Sequence, residues 1–236
     1  MKSYDTWKSL SPESIPSSLD LFPVIFNYIS PVSRILDLGC GAGRTCAALF
    51  NKGYFHIYGA DMNPAATAAS REKLAGLGLA AADDRFKISG KDRIPFPGGF
   101  FDCTICQALW TSVLAEDRAP LMKDICRVLL PGGILYIADF VRSPEFPLYR
   151  DRYSDGVAKG YDEGTFEVTG EDGELKFLAH HFTIDEFDEL FRSAGLRPVH
   201  HQETQVRTHT GNLINGVVIL AVKPQDSGMK AEGIQL

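Results

Sequence analysis

The chain has 236 residues, 24 of them Lys or Arg and 30 Asp or Glu, for a formal charge of −6 with no basic block. Because binding a phosphate backbone rests on clustered cations, this balance disfavours nucleic acid as the main ligand. The longest apolar run, Val217 to Val222, falls far short of the roughly 20 residues of a membrane-crossing helix, and Met1 to Asp5 lacks the apolar stretch of a secretory signal, so a cytoplasmic protein is predicted.

Leu19, Phe22, Ile25 and Ile29 fall at helical spacing and predict a helix with one buried face, although Pro23 lies near its start. Residues 34–38 read as a first strand. A glycine cluster follows, then a helix from about Gly43 that Gly53 ends. His56 to Ala60 is a second strand, and Asn63-Pro64 supplies the N-cap and first-turn proline of an Ala-rich helix to about Gly76. Arg85 to Ser89 and Phe101 to Gln107 read as the third and fourth strands.

Cys103 and Cys106 lie within the fourth strand, with no second pair and no nearby His, so buried thiols are expected there rather than a metal site. Five scattered cysteines do not form a disulfide framework either. A helix near Asp117 to Leu130 is expected to be closed by Pro131-Gly132-Gly133, before a strand from Ile134 to Phe140. Thr183 to Glu186 is a capping box, opening a helix with Ile184, Phe187, Leu190, Phe191 and Ala194 on one face and Gly195 at its end. Leu196 to Arg207 and Leu213 to Lys223 are close enough for an antiparallel hairpin.

This alternation predicts an α/β fold with a mostly parallel sheet and an antiparallel edge. Residues 1–223 form a single domain in this reading, and 224–236 a flexible tail. Residues 141–182 are too many for a connecting loop and predict a functional insertion on the substrate side, containing a small hairpin from Thr165 to Val168 and Leu175 to Leu178.

The strongest chemical signal is Asp37-Leu-Gly39-Cys40-Gly41-Ala-Gly43, between a strand and a helix. Without Cβ atoms the backbone turns sharply there and comes within hydrogen-bonding reach of a ligand at the helix N-terminus. A pyrophosphate gains nothing from Asp37 so near the loop, whereas a ligand carrying an ammonium and a sulfonium does. Asp61 ends the second strand 22 positions after Gly39 and is placed to accept hydrogen bonds from vicinal ribose hydroxyls, in NAD and S-adenosylmethionine alike.

In order along the chain, ILDLGCGAGR, GADMNP, IPFPGGFFDCTICQALW and LLPGGILYIADF resemble the blocks of a class I S-adenosylmethionine-dependent methyltransferase. HFTIDEFDELFRSAGLRPV resembles the late helix and strand of its small-molecule, ubiquinone/menaquinone-methyltransferase-like branch. The resemblance implies a Rossmann-like seven-strand sheet, six strands parallel and one antiparallel, with helices on both faces.

It also implies that Gly39, Cys40 and Gly41 line the methionine part of the cofactor, with Gly43 completing the loop. Asp37 would support the loop and the amino group, Asp61 would hold the ribose, and Met62 would pack on adenine. Asp92 is the candidate for the adenine amino group, in a segment one residue shorter than in many relatives, and Gln107 occupies the position nearest the transferring methyl. Each has a structural alternative: tight strand-to-helix packing for the glycines, a helix start for Asp61, core for Met62, a solvated loop for Asp92 and a plain strand end for Gln107.

The sulfonium carries the hard chemistry and S-adenosyl-L-homocysteine is the product, so the protein must align an acceptor in line with the methyl carbon and exclude water. Neither a metal nor a covalent intermediate is required. An acceptor of high pKa also wants a general base, for which His181 is the first candidate, since strand alternation would turn only one of His180 and His181 inward. The insertion's Phe146, Tyr149, Tyr153, Tyr161 and Phe166 suit a small organic acceptor or else pack the insertion onto the sheet. Tyr4 and Trp7 are candidates for a lid over the cofactor or else belong to a loosely packed N-terminus. Two alternatives remain at this point: an NAD-linked Rossmann oxidoreductase and a non-catalytic cofactor-binding partner subunit. The sequence does not set the oligomeric state.

Overall fold

The computed structural model describes residues 2–11, 19–170, 173–208 and 211–225. Most of the expected tail, and residues 171–172 and 209–210, lie outside them. The strands are β1 (Ile35–Leu38), β2 (Ile57–Asp61), β3 (Phe86–Ile88), β4 (Phe101–Gln107), β5 (Leu129–Phe140), β6 (Thr165–Thr169), β7 (Leu175–His180), β8 (Arg197–Arg207) and β9 (Leu213–Val222). The helices are α1 (Lys2–Ser9), α2 (Arg44–Asn51), α3 (Pro64–Gly76), α4 (Ala82–Arg85), α5 (Ala115–Val128), α6 (Pro147–Ala158) and α7 (Ile184–Ala194).

Seven strands form one sheet in the order β3-β2-β1-β4-β5-β9-β8. Those from β3 to β5 pair in parallel, while β9 runs antiparallel to both β5 and β8, so the expected hairpin closes this side of the sheet. The chain winds outward from β1 in one direction and from β4 in the other. The crevice beyond the carboxyl ends of these two strands is where open α/β sheets bind ligands.

Alternation along the strands divides the core into two layers. Ile35, Cys103, Ile105 and Tyr136 pack with Cys46 and Leu49 of α2 and Leu74 of α3. Leu36, Leu38, Cys106 and Leu135 pack with Leu121 and Ile125 of α5 and Phe187 and Phe191 of α7. Cys103 and Cys106 therefore face opposite sides of the sheet, which separates their thiols.

Three expectations change. The segment around Leu19 to Ile29 contains only a five-residue 3-10 turn, Pro23–Asn27. Within it Ile25 N donates to Phe22 O and Tyr28 N to Ile25 O along the turn, while other backbone groups reach the rest of the fold: Leu19 O accepts from Arg44 and from Gln107, and Phe22 N donates to the Tyr136 hydroxyl. The helix expected to run to Leu130 ends at Val128, and β5 begins at once because Leu129 pairs with Phe101 ahead of an irregularity that absorbs Pro131 to Gly133. The insertion contains the expected hairpin, as β6 and β7, but also α6, whose poorly periodic sequence hid it. Pro147 at its first turn was the available signal. α6 lies so close to β6 that a Cβ on Gly156 would run into the Thr165 carbonyl.

Candidate active site

After β1 the chain turns through Gly39 (φ 78°), Gly41 (φ 51°) and Gly43 (φ 76°), all in the left-handed region, before α2 begins. Gly39 N and Cys40 N both donate to Ala60 O, at 2.7 and 3.2 Å. The Ser70 hydroxyl of α3 donates to Gly41 O at 2.6 Å, and the Gly41 N–H donates to Asp61 Oδ2 at 2.9 Å. The loop is therefore fixed from outside by β2 and α3. Cys40 is buried with its thiol beside Ser70 Oγ, at 3.7 Å, so what it offers to a ligand is backbone.

Asp61 closes β2, and its second oxygen accepts from Asn63 N at 2.9 Å. Burial raises its pKa above the usual carboxylate value. Asp37, buried under the loop, accepts from the Cys46 thiol at 3.3 Å. Burial pushes its pKa up to about 7, and the charge of Asp61 adds to the shift. The nearby Arg44 guanidinium is turned to Asp20 and to Leu19 O. A buried and a half-buried carboxylate that feel each other beside a backbone cradle suit a cationic nucleoside and repel a pyrophosphate. The loop N–H groups of Gly39, Cys40 and Gly41 are already bonded within the fold, so the site presents carbonyl and carboxylate acceptors, and S-adenosylmethionine, with its ammonium and ribose hydroxyls, fits this acceptor set.

Met62 is half-buried next to Asp61. Gln107, at the end of β4, accepts from the Thr45 hydroxyl at 2.6 Å and donates to Leu19 O at 3.3 Å, which ties β4 to the first turn of α2. Asp92 is apart from these residues: its side chain is exposed on the turn closed by Gly90 N to Arg93 O, and it makes no bond to the loop.

Two residues escaped the sequence reading. Asp139, fully buried at the end of β5, accepts from the backbone N–H groups of Phe140 (2.8 Å), Trp110 (2.8 Å) and Thr111 (3.4 Å). It clamps the turn after β4, in which Ala108 has a left-handed φ of 48°. Asn63, read only as a helix cap, also holds α1. Its Nδ2 donates to Trp7 O at 2.9 Å and to Leu10 O at 2.8 Å. Further contacts of α1 include Tyr4 with Asp117 (2.8 Å), the Thr6 hydroxyl with Lys176 O (2.6 Å) and Trp7 against Phe177 (ring centroids 4.7 Å). Tyr4 and Trp7 thus belong to a helix that reaches from the end of β2 to the insertion hairpin.

His180 and His181 are both buried, at 2% and 3% exposure, which corrects the expectation that only one turns inward. His180 ends β7, paired with Thr165 across the hairpin, and bonds Thr165 Oγ1 (2.7 Å) and Glu186 (3.2 Å). His181 bonds the Tyr153 hydroxyl through Nδ1 at 2.7 Å and sits among Phe140, Tyr149 and Phe166. These aromatics are themselves buried, so they pack the insertion onto the sheet. Burial pushes the His181 pKa down to about 3, leaving a neutral imidazole that is a weak base near neutral pH.

Sheet order, glycine turn and terminal carboxylate together define a class I S-adenosylmethionine-binding fold. Residues 36–137 match the methyltransferase domain family. A solved SAM-dependent methyltransferase from Methanosarcina mazei is 33% identical, with a TM-score of 0.81 over 88% of this chain and 100% of that one. The ubiquinone/menaquinone biosynthesis C-methyltransferase of Edwardsiella ictaluri is 28% identical over 92% of this chain and 84% of its own length. Its namesake in Vibrio cholerae is 28% identical over 73% of this chain, and that match spans 62% of the relative's length. The chain belongs to the SAM-dependent methyltransferases. The oxidoreductase and non-catalytic alternatives are not favoured. Among the described residues no helix is long and apolar enough to cross a membrane.

Proposed function

We propose that this protein transfers the methyl group of S-adenosylmethionine to a small organic acceptor by in-line displacement. The observation that carries the reading is the Gly41 N–H bound to Asp61, which joins the glycine turn and the ribose-side carboxylate into one preformed site. When bound, the cofactor supplies an electrophilic methyl carbon on a sulfonium.

Gly39, Cys40 and Gly41 hold the methionine portion through backbone groups, with Gly43 setting the turn and Asp37 offsetting positive charge. Asp61 accepts from the ribose hydroxyls, and Met62 covers the adenine. Asp92 reaches the adenine amino group only if its exposed turn folds inward. Gln107, already fixed by Thr45, marks the methyl-transfer end. His181 serves there as a neutral, hydrogen-bonding side chain behind the acceptor wall.

The names of the bacterial relatives support a quinol-type aromatic acceptor methylated at carbon, and the Trp7–Phe177 pair offers apolar surface for such a ring. The reading places the enzyme in the cytoplasm, as a single domain over residues 1–223 with the insertion on the acceptor side. The test is to incubate the protein with methyl-labelled S-adenosylmethionine and a panel of demethylated quinols, phenols and amines. Labelled product and S-adenosylhomocysteine should appear together by mass spectrometry. Well-folded protein that retains neither cofactor nor product in equilibrium dialysis would sink the proposal.

A further inference from the structure

Asn63 is 1% exposed and uses its whole amide. Oδ1 accepts from Ala66 N at 3.0 Å, capping α3, while Nδ2 donates to Trp7 O and Leu10 O at 2.9 and 2.8 Å. The orientation is unambiguous, because an N–H faces one side of the amide and two carbonyls face the other. Its own backbone N–H donates to Asp61, the ribose-side carboxylate. One residue therefore touches the cofactor carboxylate, the start of α3 and the C-terminal end of α1.

α1 leaves this anchor for the far side of the crevice. There the Tyr4 hydroxyl bonds Asp117 and accepts from Leu114 N at 3.2 Å, beside the turn that follows β4. Between these anchors the Trp7 indole Nε1 is buried with no hydrogen-bond partner among the described residues. Leaving a buried donor unmet carries a desolvation cost, which an acceptor atom on a bound molecule would relieve.

We propose that Asn63 is the positioning residue that latches α1 over the crevice, linking the filling of the ribose site to closure of the acceptor side. The proposal rests on the cofactor reading above. Through the bond from Asn63 N to Asp61, order imposed by a bound ribose passes to the amide holding α1, and α1 must unlatch before cofactor or product leaves.

Asn63→Asp tests it directly. The substitution keeps an oxygen to cap α3 but sets a carboxylate against two carbonyls, so the latch opens while the cap survives. Asn63→Ser keeps a capping oxygen and removes both donors without placing a second charge near Asp61, which makes it the safer variant if the first fails to fold. In stopped-flow measurements, S-adenosylhomocysteine should dissociate about tenfold faster or more from either variant, the size expected for one or two lost net hydrogen bonds. Trypsin should also cleave faster after the exposed Lys8, with little change in melting temperature.

A purely structural role would lower the melting temperature and leave the dissociation rate alone. Dissociation and cleavage at wild-type rates in a folded variant would overturn the latch. If the wild type binds no S-adenosylhomocysteine, the cofactor reading falls, while the cleavage comparison still judges the latch by itself.

Discussion

The backbone N–H of Gly41 donates to Asp61 Oδ2 at 2.9 Å, so the carboxylate that closes β2 also pins the turn that follows β1. Asp61 thereby preorganises the loop, and in the proposed reading its remaining lone pairs accept from the ribose. Asp61→Ala should weaken S-adenosylhomocysteine binding at least tenfold, a loss of about 1.4 kcal/mol or more. Asp61→Asn, which keeps one acceptor oxygen, should lose less. Unchanged affinity by calorimetry in Asp61→Ala would remove the ribose assignment.

Asp37 makes binding depend on pH. Its folded pKa, raised by burial to about 7, means that the ligand-free protein keeps a proton that the unfolded chain has already lost. The stability this gives is fully present below the ordinary carboxylate range. It is lost as pH rises toward 7, by at most about 1.4 kcal/mol per pH unit. A cationic ligand favours the carboxylate, so binding near pH 6 should release a proton and tighten as pH passes 7. Calorimetry in two buffers of different ionisation enthalpy reads that proton. Asp37→Asn should abolish its release, and a wild type with no buffer dependence would contradict the charge argument.

Gly43 and Gly53 both sit at helix ends with positive φ, but only Gly43 is crowded. A Cβ there would come within 2.9 Å of Ser70 Oγ and 3.1 Å of Ser70 Cα, whereas one at Gly53 would meet nothing within 4 Å. Gly53→Ala should cost about 1 kcal/mol in urea denaturation, the strain of a left-handed residue. Gly43→Ala should cost roughly 2–4 kcal/mol, the range of core overpacking added to that strain, and should weaken S-adenosylhomocysteine binding. Equal losses would mean that α3 does not press on the loop.

What the sequence disclosed was mostly local. Glycine spacing, the Asn63-Pro64 helix start and the Thr183 capping box each depend on neighbours a few residues away, and all three appear in the structure. The segment from Leu19 to Ile29 misled because helical spacing of apolar residues does not reveal that Tyr136 and Gln107, far along the chain, take some of its backbone groups as hydrogen-bond partners. Asp139 was invisible for a related reason. Its three N–H donors come partly from a turn some thirty residues earlier, and an Asp at a strand end has no sequence mark to separate a clamp from a solvated side chain. Gly39 to Gly43 and Asp61 were legible as candidates, but the bond joining them follows from the parallel register of β1 on β2.

His181 gives the sharpest contrast between a residue's type and its surroundings. With its pKa pushed by burial to about 3, the folded protein does not take up the proton that an exposed histidine of the unfolded chain accepts near pH 6.5. Stability contributed by the neutral ring is present above that pH and is lost as pH falls toward 3, by at most about 1.4 kcal/mol per unit. His180, also lowered by burial, adds to the same acid limb. His181→Phe should therefore flatten the fall in unfolding free energy between pH 6.5 and 4 without removing it, as measured by urea titrations across that range. Tyr153→Phe should preserve the slope, because it removes the partner of Nδ1 and leaves the burial that sets the pKa. The rate of methyl transfer should show no inflection near pH 6.5 that belongs to His181. If such an inflection exists in the wild type and vanishes in His181→Gln, the imidazole takes up a proton during turnover and its assignment as a neutral wall fails.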